Sequence, residues 1–111
     1  MEESKLLTTY KKLKRDIATY IPQDTDNKTI LAINTRLHRI KDACLNADTS
    51  FNASEQIQDL HIAQKELNHM LDDLLTLQQV GIISQTTYGV LAKSVESCDE
   101  AVREMSDPEY S

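Results

Sequence analysis

Glu66 and His69 stand three residues apart in "ELNH". At that spacing a helix places a carboxylate and an imidazole on one face. Two copies of the motif, plus a Glu from each of two other helices, hold paired metal ions in carboxylate bundles. Only one copy occurs here, so the pair reads as a surface contact and neither a metal site nor a cofactor is expected. His69 with Asp73 and His38 with Asp42 are i,i+4 pairs, and His61 has no companion. Cys44 and Cys98 are the only two cysteines, and neither has a His or Asp placed to activate it as a nucleophile. No Gly-rich loop is present to cradle phosphate. These residues form no catalytic set, and the chain reads as a non-enzyme.

The strongest remaining signal is charge. "KKLKR" at 11–15 packs four positive charges into five residues of a chain whose net charge is −6. Residues 1–47 hold nine Lys/Arg against six Asp/Glu, net +3; residues 48–111 hold three against twelve, net −9. Such a cluster suits a nucleic-acid footprint, an intramolecular charge pairing, a subunit docking surface or a solvated helix face. A molecule with one positive and one negative surface can dock head-to-tail into a ring. Assembly would also gather several basic faces into one field, and nucleic-acid affinity grows with the number of phosphates neutralised.

Apolar spacing identifies the elements that position these charges. Steps of three and four run through Leu6, Tyr10, Leu13, Ile17 and Tyr20, and again through Ile30, Ile33, Leu37, Ile40, Cys44 and Ala47. They recur through Leu60, Ala63, Leu67, Met70, Leu74 and Leu77, a stripe widened by Ile57, Leu71 and Leu75. The last set is Tyr88, Leu91, Val95, Cys98, Val102 and Met105. This is the seam of left-handed, heptad-type bundle packing. Pro22 ends the first helix. Asp24 or Asp26 offers an N-cap for the second, and Asn52 with Glu55 a capping box for the third. "NADTSFNASEQ" is the longest polar break. Gly81 closes the third helix, Ser84 caps the fourth, and Pro108 stops it. The spacing therefore predicts helices over 3–21, 27–47, 53–79 and 85–106 in a single all-α domain spanning 1–111, an up-down-up-down four-helix bundle.

Directions follow from about 100° per residue. Lys11 and Arg15 point away from the first seam, with Lys12 and Lys5 alongside. Lys28 and Arg39 point away from the second. Glu55, Asp59, Glu66 and Asp73 flank the third seam, where a neighbouring helix or subunit can meet them, and are the candidate oligomer contacts. Glu96, Glu100 and Glu104 face outward on the fourth helix, and Asp99 with Arg103 is an i,i+4 pair. Cys44 and Cys98 share a level on diagonal helices, on the order of 13 Å apart. A disulfide needs Cα atoms within about 7 Å, so both read as small core hydrophobes.

Composition bounds the remainder. Charged residues make up 27% of the chain, and two Gly and two Pro are few for a β-rich fold. Four Tyr, one Phe and no Trp leave little for a base-stacking platform. No apolar run is long enough to span a membrane. The N-terminal residues lack the pattern of a signal peptide, and two cysteines without one point to a reducing, cytoplasmic setting.

The order of features resembles a known group. "YIPQDTDNKTI" resembles that family's segment of an aromatic or aliphatic residue, Pro, a polar stretch and a Thr-hydrophobic pair. "LAINTRLHRIKDACLNAD", "LHIAQKELNHMLDDLLTLQQVGIIS" and "SQTTYGVLAKSVESCDEAVREM" follow as the next three helices. Together, over about residues 6–105, they look like the four-helix-bundle family that includes the accessory variability proteins of diversity-generating retroelements and the proteins encoded in ribosomal RNA intervening sequences. The chain departs from the retroelement members in its acidic net charge and in "EAVREM", where they carry Gly and Trp. The resemblance implies a non-enzymatic homo-oligomer, a ring and in the best-known members a pentamer. It also implies binding of RNA or DNA and partnership with a reverse transcriptase. Carried over to this sequence, its nucleic-acid or partner-binding positions are Lys11, Lys12, Arg15, Arg36 and Arg39. A small helical module of the immunity or inhibitor type, acting by protein contact alone, is the alternative.

Overall fold

A computed structural model describes residues 4–24 and 26–106. Within them the chain forms four α-helices and no strand: α1 (Lys5–Tyr20), α2 (Lys28–Thr49), α3 (Ala53–Gln79) and α4 (Gln85–Ser106). Their order is up-down-up-down, as the spacing predicts. Each helix packs on its chain neighbours, and α1 also packs on α4, so the bundle closes. The diagonal pairs α1–α3 and α2–α4 bring no Cα atoms within 8 Å. The molecule measures 43 × 25 × 24 Å.

The four seams meet in one core. Leu13, Ile33, Ile40, Leu67, Met70, Leu74 and Leu91 are fully buried within it. Each such side chain contributes about 2 kcal/mol relative to leaving it in water. Three expected core positions lie outside. Tyr20 is 45% exposed, Ile57 44% and Leu75 39%. Pro22 explains the first. Ile21, the residue before it, is held extended at φ −107° and ψ 126°, which ends α1 and swings the Ile21 side chain into the core in place of Tyr20. Ile57 and Leu75 sit on the exposed edge of the α3 stripe.

The helix ends show which local signals act. Ser4 caps α1 through Leu7 N–H at 3.2 Å. Asn27, rather than Asp24 or Asp26, caps α2, accepting from Thr29 and Ile30 N–H at 2.9 and 3.0 Å. Asp24 instead closes a turn by accepting from Asp26 N–H at 2.9 Å. Asn52 caps α3 through Ser54 N–H at 2.9 Å, but the reciprocal half of the capping box is missing, because the Asn52 N–H donates to Ser50 Oγ. The expected polar break shrinks to Ser50–Asn52, since α2 runs on to Thr49. Ser84 caps α4 through Thr87 N–H at 3.0 Å.

Gly81 closes α3 at φ +83°, a conformation that strains any residue with a Cβ. Its N–H donates to the Gln78 carbonyl and the Ile82 N–H donates to the Leu77 carbonyl, the paired bonds of a Schellman ending. The expected stop at Pro108 lies outside the described residues.

Candidate functional site

Three seams hold the charges, and each treats them differently. Between α2 and α3 the Arg36 guanidinium bridges two carboxylates. Its Nη1 donates to Glu66 Oε2 at 2.9 Å and its Nε to Asp73 Oδ2 at 2.7 Å. Arg39 Nη1 reaches the other Glu66 oxygen at 3.5 Å. The Asp73 hydrogen bond raises the Arg36 pKa; burial lowers it, and the Glu66 hydrogen bond adds to the rise. Glu66 is therefore buried and turned to α2, and the "ELNH" spacing does not pair it with His69, which is exposed. Arg36 is committed to this bridge and is not displayed for a partner. Glu66 and Asp73 are likewise closed on it within the chain.

Between α1 and α4, Lys5 Nζ meets Glu104 at 2.8 Å and Glu100 at 3.9 Å. Deeper in the same seam, the buried Ser94 hydroxyl donates to Asp16 Oδ2 at 2.5 Å. Lys12 Nζ donates to that oxygen at 2.9 Å and to Ser94 Oγ at 3.2 Å. Lys12 thus leans into the seam, although it stays exposed. Burial alone would raise the Asp16 carboxyl; the Ser94 and Lys12 hydrogen bonds outweigh it and hold Asp16 below its ordinary 3.8.

A folded-state pKa below the unfolded one adds stability above the unfolded value, and that contribution is lost as pH falls through the folded value. The advantage of the native chain over Asp16→Asn should be flat near neutrality and shrink as pH drops below 3.8. Denaturant titrations across pH measure it. A gap that persists undiminished at pH ~2 would contradict the network's role.

Between α1 and α2 the arrangement is open. These are the least closely packed chain neighbours. No ion pair crosses their seam among the described residues. A groove of about 300 Å³ lies between Tyr10 and Lys14 of α1 and Asn34, Leu37, His38 and Lys41 of α2. It continues past Ile17, Ala18 and Gln23 through a further 180 Å³. Lys14 and Lys41 stand on its opposite walls, exposed and without an ion pair among the described residues. Arg15 is in the same state on the outward side of α1, beside the exposed Lys11.

The remaining candidates are dispersed. Arg39 is 60% exposed and shares the α2–α3 edge with Glu66. Glu55 and Asp59 border a hollow of about 390 Å³ at the end of that seam, with Asn46, Thr49, Ser50 and Gln58. Arg103 and Asp99 pair at 3.0 Å within α4. The structure thus keeps Lys11 and Arg15 together on one exposed face, turns Lys12 to α4 and Arg36 to α3, and leaves Arg39 on a separate edge.

Cys44 and Cys98 are free and fully buried. Their thiols approach across the diagonal of the bundle. The hydrogen-bonding thiol of Cys98 and then burial push Cys44 well above the usual thiol range. With their Cα atoms more than 8 Å apart, backbone movement would be needed to join them.

Periodicity aimed at the core passed over Lys14 and Lys41. A second, outward stripe at the same three-and-four spacing marks them: 7, 11, 14, 18 on α1 and 31, 34, 38, 41, 45 on α2. No helix of the described residues is long and apolar enough to cross a membrane. No family model, curated protein or solved structure matches the chain significantly, so the functional reading rests on this geometry and on the residue patterns themselves.

Proposed function

We propose that the protein is a non-enzymatic, oligomeric adaptor bundle that binds nucleic acid through the outward face of α1, and through it serves a polymerase such as a reverse transcriptase. The observation that carries this reading is Arg15. It is exposed, has no carboxylate closing on it among the described residues, and stands one turn from the exposed Lys11 on the face opposite the core. Of the other cationic groups of the first two helices, Lys5, Lys12 and Arg36 meet Glu104, Asp16, Glu66 and Asp73, and Lys14 and Lys41 line the α1–α2 groove. The exposed Lys11 and Arg15 make a short positive strip on the outward face of α1. A strip of that size neutralises about two or three phosphates per subunit, so a single copy binds weakly and several copies in a ring bind well. Of the four acidic α3 candidates, Glu55 and Asp59 stay available for a neighbouring subunit, since Glu66 and Asp73 are closed on Arg36.

Fluorescence anisotropy with a short labelled duplex and a short RNA tests this. Affinity should fall with log salt at a slope of about −2 to −3 per engaged subunit, between about 50 and 200 mM salt. Lys11→Glu/Arg15→Glu should weaken binding tenfold or more. No binding at the lowest salt, or equal binding by the charge-reversed variant, removes the nucleic-acid role. A second reading, a module that acts by protein contact alone, draws on the open α1–α2 seam.

A further inference from the structure

We infer that the α1–α2 groove is a docking site for an amphipathic helix of a partner protein, apolar at both ends of its binding stripe and acidic in the middle. This goes beyond the nucleic-acid reading and rests on Lys14 and Lys41 rather than on Arg15.

Each wall of the groove carries an outward stripe at helical spacing. On α1 the stripe begins with the half-buried Leu7 and ends with Ala18; Lys11 and Lys14 lie between them. On α2 it begins with Leu31, 45% exposed, and ends with Leu45, 39% exposed. Asn34, His38 and Lys41 fill its middle. Because α1 and α2 run antiparallel, Leu7 shares one end of the groove with Leu45, and Ala18 shares the other with Leu31. Apolar surface thus lies at both ends, with Lys14 and Lys41 on opposite walls between them.

Length and charge select the occupant. Leu31 and Leu45 are fourteen positions apart, about 21 Å along a helix, so an occupant of about 14–18 residues covers the face. Apolar anchors at i, i+3 or i+4 and i+7 are how a groove between helices receives another helix. The two ammonium groups require carboxylates between those anchors. A nucleic-acid strand would leave the apolar ends uncovered, and Tyr10 is too buried to stack on a base.

Among the described residues, the acidic stripes of a second copy that border α2 and α1 do not fit. On α3, Glu55 and Asp59 lead into the exposed Ile62, which puts the apolar residue where the carboxylates are needed, while Glu66 and Asp73 are closed on Arg36. On α4, Glu100 and Glu104 are closed on Lys5.

The probe is a labelled helical peptide of about 18 residues with leucines at both ends of one face and glutamates at its centre. Saturable binding to the whole protein is expected. Lys14→Glu/Lys41→Glu should weaken it at least tenfold, and a peptide with central lysines should restore binding to that variant. Leu31→Ser/Leu45→Ser, at exposed positions, should also weaken the original peptide about tenfold. Absence of saturable binding up to about 100 µM overturns the proposal. So does indifference to the Lys14/Lys41 reversal, displacement of the peptide by duplex, or a homo-oligomer that falls apart on Leu31→Ser/Leu45→Ser. Arg15→Glu alone, on the opposite side of α1 from the core and off the stripe, should retain the peptide, so failure of the nucleic-acid reading is seen separately.

Discussion

Arg36→Met should lower stability by about 2–3 kcal/mol, and adding Glu66→Leu and Asp73→Leu should recover most of the loss. Among the described residues Arg36 is the one cation in direct contact with both carboxylates, at 2.9 and 2.7 Å. Removing it leaves two negative groups in a seam where Glu66 keeps 9% of its surface and has little water to replace the lost partner. Breaking a fully buried ion pair costs about 3–5 kcal/mol, mostly as the penalty on the abandoned charge. The smaller figure applies here because Asp73 keeps 21% of its side-chain surface and Arg39 still reaches Glu66. Replacing all three groups by apolar ones removes the abandoned charge as well, and such swaps are often close to neutral. In a domain of this size the single change corresponds to a fall in Tm of about 10–15 °C. Urea melts of the single and triple variants measure both effects. A neutral Arg36→Met would show that the bridge is cosmetic. The same variant should leave duplex affinity unchanged, since Arg36 is turned into the bundle.

Leu67→Ala should be costlier still, about 3–4 kcal/mol. Leu67 has no exposed surface and lies midway along α3, the helix that packs closely on both α2 and α4. Truncation there forfeits the transfer free energy of the lost atoms and opens a void that three packed helices cannot collapse to fill. Native stability is about 5–15 kcal/mol in total, so this one change removes a large share of it. Leu75→Ala is the control: same helix, same substitution, but 39% exposed at the edge of the seam, with an expected cost under about 1 kcal/mol. Equal losses at the two positions would mean that α3 does not sit in the bundle as described.

The contrast between those two leucines also explains what the amino-acid order alone makes legible. Core membership is readable from spacing because a helix repeats every 3.6 residues, and the centre of each stripe has only one place to go. Edge positions such as Leu75 and Ile57 depend on how far each helix is rotated, which spacing leaves open by tens of degrees. Caps at Asn52 and Ser84 and the Gly81 ending are local and come through. The start of α2 does not, because Asp24, Asp26 and Asn27 are all good caps and only the chain path from Pro22 decides among them. Charge partners are the hardest. Arg36 and Arg15 look alike in sequence, and only the packing of α3 against α2 buries one and leaves the other outside. The α1–α2 groove was hidden for a related reason: its stripe mixes leucine with lysine, asparagine and histidine, so a search for apolar periodicity passes over it.

The paired sulfurs at the centre of the bundle have a practical side. Cys44 and Cys98 are the chain's only thiols, and both have zero solvent exposure. An alkylating reagent in solution meets them only when the helices part. Their consumption therefore times the parting of the helices around them, a stopwatch already wound into the chain, with no added label to disturb what it reports.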